Sequence, residues 1–191
     1  MADAELPWRC FVAVPIDSEL RAAIERVARD LRARPGAEGW RWADAEAWHV
    51  TLAFLGATDP DQVSRLSEAL ERVGAAHDAM ELPVGGLGAF PSRARARVLW
   101  YGISDAGGSL RQLAEAVRGA LGMVTDERFR GHLTLARARD RFGTDAGALV
   151  DAPAPTSRLV VDRLELYRSH LGRGPASYEA LTTVPLRGVA P

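Results

Sequence analysis

The chain of 191 residues contains no lysine, no asparagine and a single cysteine, Cys10. One cysteine excludes an internal disulfide. Every positive side chain is therefore an arginine. With alanine and arginine this abundant, the composition is that of a GC-rich genome, and a cluster of arginines says little about function by itself. The formal net charge is −1. That excludes a bulk positive field for holding a long polyanion, so any nucleic acid would have to be gripped locally, at an end or a single phosphate. No run approaches the roughly 18 apolar residues of a membrane span. The opening Met1-Ala2-Asp3-Ala4-Glu5 is acidic and no apolar signal core follows it. A cytoplasmic protein without membrane association is expected.

What is present is enough apolar material for a core: 47% of residues are hydrophobic and 26% charged, an ordinary globular balance. The length suits one domain, or two small lobes sharing a core. Arg9 to Ile16 (RCFVAVPI) has the length and β-branched content of a buried strand. Asp17-Ser18 then caps a helix carrying Leu20, Ile24, Val27 and Leu31 on one face, ended by Pro35-Gly36. Trp48 to Leu55 is a second strand, closed by Gly56. Asp59-Pro60 opens a helix with Val63, Leu66, Leu70 and Val73. Gly85-Gly86, Gly88 and Pro91 mark irregular backbone. Arg97 to Ile103 is a strand, Gly107-Gly108-Ser109 caps a third helix through Leu121, and Arg130 to Arg137 is the next strand. A weak helical stretch covers Phe142 to Val150, and Ala152 to Pro155 is a proline-rich link. Ser157 to Tyr167 reads as one long strand, paired with Ser177 to Leu186 across a turn at Leu171–Pro175. The strand near Arg9 recurs near Arg97, and the strand holding His49 recurs with His132, which is a rough internal duplication.

Two segments carry the chemistry. His49-Val50-Thr51-Leu52 and His132-Leu133-Thr134-Leu135 share the order histidine, apolar, threonine, leucine. Side chains alternate along a strand, so in each copy the imidazole and the hydroxyl share one face while the apolar pair enters the core. A lone histidine in a strand is usually structural; two in matching positions of a duplicated pattern point to function. Histidine titrates near neutrality, so one imidazole can take a proton from an attacking oxygen while the other gives one to a leaving oxygen. The threonine hydroxyls, Thr51 and Thr134, can donate to the non-bridging oxygens of a phosphate. A metal centre is disfavoured, because two histidines and two threonines supply no third or fourth ligand and the second copy has no match for Asp44 and Glu46. Cys10 lies in an apolar strand, where thiols are inert. Ser92 and Ser169 have no nucleophile elbow around them. No cofactor is expected.

At these residues the sequence resembles the 2H phosphoesterases, and within them the bacterial and archaeal RNA 2′,3′-cyclic phosphodiesterases once called 2′-5′ RNA ligases. RCFVAVPI resembles the opening strand of that family, HVTLAFLG its first motif, FPSRARARVLWYGI the segment between motifs and FRGHLTLARAR the second motif; Leu164, Ser169 and Tyr178 in the closing strand are similar but looser. The resemblance implies an α+β fold over residues 1–191, bilobal, with two antiparallel sheets and flanking helices around a central cleft and a pseudo-two-fold internal duplication. It implies His49 as proton donor and His132 as acceptor, Thr51 and Thr134 as phosphate-binding, and Arg137 as the arginine that follows the second motif. The reaction implied is opening of a terminal 2′,3′-cyclic phosphate to a 2′-phosphate, with 2′-5′ joining of RNA ends in reverse. One departure is Gly131, where the family usually has proline; glycine frees the backbone there.

Arg137 has the wrong parity for strict alternation with His132, whereas Arg130 has the right one, so either can be the phosphate-binding arginine. His77 at a helix end and His170 before a turn read as surface residues. Trp40, Trp42, Trp48 and Phe129 flank the motifs; an aromatic near the cleft could stack on a base, though packing accounts for each one singly. The expected partner is an RNA end carrying a 2′,3′-cyclic phosphate, or a small nucleotide, bound by a monomer. Two other functions fit the same residues: a 2H enzyme acting on a small cyclic nucleotide, such as ADP-ribose cyclic phosphate, or on a 2′,5′-oligoadenylate, and a module that binds RNA ends without turning them over.

Overall fold

The computed structural model describes residues 7–124, 129–170 and 176–188. The first strand, β1 (Trp8–Pro15), is buried from Cys10 to Val14 because both of its faces are covered. Helix α1 (Ser18–Arg32) starts where the Asp17 carboxylate accepts the Leu20 amide at 2.7 Å, and it buries Leu20, Ile24, Val27 and Leu31. Strands β2 (Trp40–Trp42) and β3 (His49–Thr58) follow, then α2 (Val63–Ala76), β4 (Met80–Phe90) and β5 (Val98–Ile103). The remaining elements are α3 (Ser109–Ala120), β6 (His132–Ala138), the short α4 (Gly147–Val150), β7 (Ser157–Val161), β8 (Arg163–His170) and β9 (Ser177–Pro185).

All strand pairings are antiparallel and build two sheets, in the orders β3-β1-β8-β9 and β2-β6-β5-β4-β7. Reading each sheet from its motif strand outward, β3, β1, β8, β9 correspond to β6, β5, β4, β7. The internal repeat inferred from the sequence is therefore a repeat of sheet order. Among the described residues strand β2 is the one addition, lying outside β6 with no counterpart outside β3.

Several elements differ from the sequence reading. The segment Ser157 to Tyr167 is two strands: β7 pairs with β4 in one sheet and β8 with β1 in the other, the chain changing sheets at Asp162. The buried residues record the break, since Leu159 and Val161 have odd parity and Leu164 and Leu166 even parity. The irregular backbone read at Gly85-Gly86 is a bulge, where Gly86 takes φ 71°, but it lies inside a continuous strand, β4, which also contains Gly88. Strand β3 runs on through Gly56, at φ 72°, to Thr58. The helical stretch near Phe142 shrinks to the four residues of α4. Strand β2 is too short to leave a periodic signal. The turn expected at 171–175 lies outside the described residues.

Gly88 sits opposite Trp100 across β4 and β5. A Cβ there would run into the indole ring, which is buried and cannot swing aside. We expect Gly88→Ala to lower unfolding stability by about 1–3 kcal/mol through overpacking, measured by urea denaturation, and to disturb the Trp100 wall beside His132.

Candidate active site

The two motif strands have the same burial pattern residue for residue. In β3, His49 and Thr51 are half-buried, Val50, Leu52 and Ala53 buried, and Phe54 is 66% exposed. In β6, His132 and Thr134 are half-buried, Leu133, Leu135 and Ala136 buried, and Arg137 exposed. The shared irregularity, two buried residues in succession, is a β-bulge. Thr51 faces Ala13 and Ala53 faces Val12, leaving Leu52 as the extra residue. Thr134 faces Trp100 and Ala136 faces Leu99, leaving Leu135 extra. An inserted residue inverts the alternation beyond it. Arg137 thereby returns to the face of His132 and Thr134, and Phe54 to the face of His49 and Thr51. The parity objection to Arg137 is removed by this bulge. Strands β3 and β6 meet across the two sheets, so the two faces adjoin.

Both imidazoles are held in the same way. His49 Nδ1 lies 2.8 Å from the Ala47 carbonyl and His132 Nδ1 2.8 Å from the Arg130 carbonyl. A carbonyl only accepts, so each Nδ1 carries a proton and each neutral ring keeps a free lone pair on Nε2. Thr51 Oγ1 is 3.0 Å from His49 Nε2, positioned to donate to it. The walls are aromatic. Phe11 lies 4.8 Å from the His49 ring and Tyr178 meets it edge-on at 5.2 Å; Phe90 meets the His132 ring edge-on at 5.2 Å. Burial in this setting lowers the His49 pKa to about 4, against the hydrogen bond to Ala47, with the charges of His132 and Arg137 lowering it further. Burial also lowers that of His132, again with the neighbouring charges of Arg137 and Arg130. Arg137 thus acts on both histidines, and it acts on Tyr178 as well.

This has a consequence for stability. Above pH 6.5 His49 is neutral in both folded and unfolded chains and contributes nothing. Below 6.5 the unfolded chain binds a proton that the folded chain refuses until about pH 4, so stability falls over that window, by at most about 3 kcal/mol from this group. We expect His49→Gln to flatten the loss of melting temperature between pH 6.5 and 4 relative to wild type.

Of the other residues singled out in the sequence, Arg130 stacks its guanidinium over Trp100, 4.5 Å from the ring centre, beside His132. Trp40 and Trp48 are 1% and 5% exposed and belong to the core. Trp42 lies under Arg32 and Phe129 under Arg118. His77 caps α2, its Nδ1 2.8 Å from Val73 O, and His170 pairs with Glu179 at the surface. Cys10 is buried, and burial pushes its thiol up. Asp44 caps a short turn and Glu46 faces Arg21. Among the described residues no three His, Cys, Asp or Glu side chains converge as a metal site requires. At Gly131 the backbone is not left-handed; a Cβ would lie 2.7 Å from Leu110 Cδ2. The glycine there lets the Leu110 side chain approach closely. Tyr167 stacks on Phe11 at 5.1 Å and its ring lies 6.2 Å from that of His49; Phe54, Phe11 and Tyr167 are site neighbours that the sequence reading does not single out. Only the bulge places Phe54 on this face, and no pattern of apolar spacing reveals a bulge.

A family model described as LigT like Phosphoesterase matches residues 14–100. The chain is 34% identical over 183 residues to the RNA 2′,3′-cyclic phosphodiesterase of Geobacillus stearothermophilus, covering 93% of this chain but 57% of that protein's length. It is 30% identical to the RNA 2′,3′-cyclic phosphodiesterase of Thermus thermophilus, covering 94% of this chain and 91% of that one. Among solved structures, apo LigT from E. coli aligns with a TM-score of 0.77 at 26% identity, over 95% of this chain and 99% of that one. The same protein complexed with 3′-AMP aligns at 0.75 and 26% over the same shares.

Proposed function

This chain belongs to the LigT-like phosphoesterase family, and on that premise we propose that it is an RNA 2′,3′-cyclic phosphodiesterase, converting a terminal 2′,3′-cyclic phosphate to a 2′-phosphate with a free 3′-hydroxyl. The observation that carries the reading is the matched pair of imidazoles, one from each sheet, each with Nδ1 tied to a carbonyl, so that Nε2 is the proton-carrying nitrogen in both; that of His132 is open, and that of His49 meets the Thr51 hydroxyl, which substrate phosphate would draw away. A single binding interaction would not call for two acid–base groups. His132 takes the proton of the attacking water as its oxygen bonds to phosphorus. The P–O3′ bond breaks, and His49 delivers a proton to O3′. The depressed pKa of His49 leaves it neutral in the free site; it takes up that proton as the phosphate anion arrives, and gives it up readily. Thr51 and Thr134 donate to the non-bridging oxygens, and the guanidinium of Arg137 offsets the charge that grows on them. Arg130, held flat on Trp100, adds positive potential at the rim. The ring of Phe54, exposed on the face of His49, offers a surface for the terminal base. A 5′-hydroxyl in place of water would give a 2′,5′ linkage by the same transfers.

The substrate is gripped at its end, in keeping with a formal net charge of −1. Both motifs come from one chain, which supports a monomeric single unit, and none of the helices described is long and apolar enough to cross a membrane; we assign the enzyme to the cytoplasm. The test is incubation of a short RNA ending in a 2′,3′-cyclic phosphate with the protein in EDTA, with the position of the product phosphate read by phosphorus NMR. A 2′-phosphate is the expected product. A 3′-phosphate would overturn the proposed leaving group. Tight binding without turnover would make the protein an RNA-end module, and inertness toward RNA with turnover of small cyclic nucleotides or 2′,5′-oligoadenylates would move the substrate class.

A further inference from the structure

A bulge frees the extra residue from the strand ladder, and its carbonyl must find a donor elsewhere. The two motif bulges solve this differently. Leu135 O accepts the Ala43 amide at 2.8 Å, because β2 lies outside β6 and the chain beyond it continues the pairing. Strand β3 is at the edge of its sheet and has no such neighbour among the described residues. There Leu52 O accepts Nε–H of Arg118 at 2.9 Å. Arg118 comes from the last turn of α3, in the other half of the repeat, and α3 packs on β3. The same guanidinium lies 5.7 Å from the ring of Phe129, three residues before His132.

We propose that Arg118 is a positioning residue. Its Nε–H stands in for the strand that β3 lacks, pins the bulge at Leu52, and so holds His49, Thr51 and Phe54 in register with the second motif. The side chain does this from the half of the molecule that carries His132, which ties the two acid–base groups to one another. Without the bond, the bulge at the edge strand is free to relax or migrate, and migration by one residue turns Thr51 or Phe54 off the catalytic face.

The kinetic part of the test rests on the phosphodiesterase reading; the spectroscopic part does not. Methionine has the length of the arginine stem up to Nε but no donor, and the amide nitrogen of glutamine stands the same number of bonds from Cα as Nε. Arg118→Met is expected to lower kcat on the order of 10–100-fold, as displacement of a catalytic group does. It is expected to shift the imidazole NMR resonances of His49 while leaving those of His132 in place. Arg118→Gln is expected to keep kcat within a few fold of wild type and to leave the His49 resonances unmoved. Wild-type kcat and resonances in the methionine variant would overturn the proposal. So would equal shifts at both histidines, which mark general loosening, or a glutamine variant as impaired as the methionine one, which would make the charge the active feature. If the methionine variant does not fold, the glutamine variant decides alone: retained kcat and His49 resonances support the proposal, and their loss overturns it. If wild type hydrolyses no cyclic phosphate, the phosphodiesterase reading fails, and the His49 resonances still decide the role of Arg118.

Discussion

Alanine at His132 is expected to reduce turnover of an RNA 2′,3′-cyclic phosphate on the order of 10²–10⁴-fold, the range that general acid–base groups supply, and alanine at His49 to do the same. The geometry makes the loss specific. Each ring is anchored through Nδ1 to a backbone carbonyl, so its removal takes away a proton carrier at Nε2 and leaves the strand's ladder in place. KM is expected to move far less than kcat, because the proposed phosphate-binding residues Thr51, Thr134 and Arg137 stay in place. The double variant is expected to lose much less than the product of the two single losses, since the rings act on one displacement. Steady-state kinetics on the three variants, each shown folded by circular dichroism, checks this. A histidine variant retaining wild-type kcat would remove that residue from the chemistry.

The second large effect belongs to Arg137. Arg137→Ala is expected to cost on the order of 10²–10³-fold in kcat/KM, the range for deleting one donor to a developing oxyanion, with Arg137→Lys between it and wild type, because an ammonium restores charge but not the planar fork. A second readout separates this from a loss of packing. The positive charge of Arg137 lowers the pKa of both histidines. Its removal therefore raises both, and the limbs of the kcat/KM–pH profile are expected to move to higher pH in the alanine variant. A reduced rate with an unmoved profile would assign Arg137 to the rim. Arg130→Ala, by contrast, acts on His132 alone of the pair, and its profile is expected to move on one limb.

The residues proposed for the chemistry are legible in the sequence because they repeat. His49 with Thr51 and His132 with Thr134 stand in matching tetrapeptides, and period-two alternation is a local property of an extended chain. The apolar faces of α1, α2 and α3 were legible for the same reason: their spacing is a local property of the helix. The long reading from Ser157 to Tyr167 failed where locality ends. Nothing in those residues states that β7 and β8 join different sheets; the only trace is a change of parity at Asp162, and which partner each half finds depends on β4 and β1, far away in the chain. Strand β2 escaped notice because three residues hold no period, although it supplies the outer neighbour of β6.

The proposed acid–base pair, the hydroxyls beside it and the twofold plan are readable from the sequence alone, since each follows from side-chain chemistry and from periodicities that neighbouring residues enforce. The tertiary structure decided which other groups join them. Alternation along β6 turns Arg137 away from His132, and the bulge at Leu135 turns it back; the same event at Leu52 presents Phe54. A bulge is a mismatch between two strands, so it exists only once β3 has met β1 and β6 has met β5. The depressed histidine pKa values have the same origin, because burial against Phe11, Tyr178 and Phe90 is a consequence of sheets coming together, and no residue carries its own desolvation in its name.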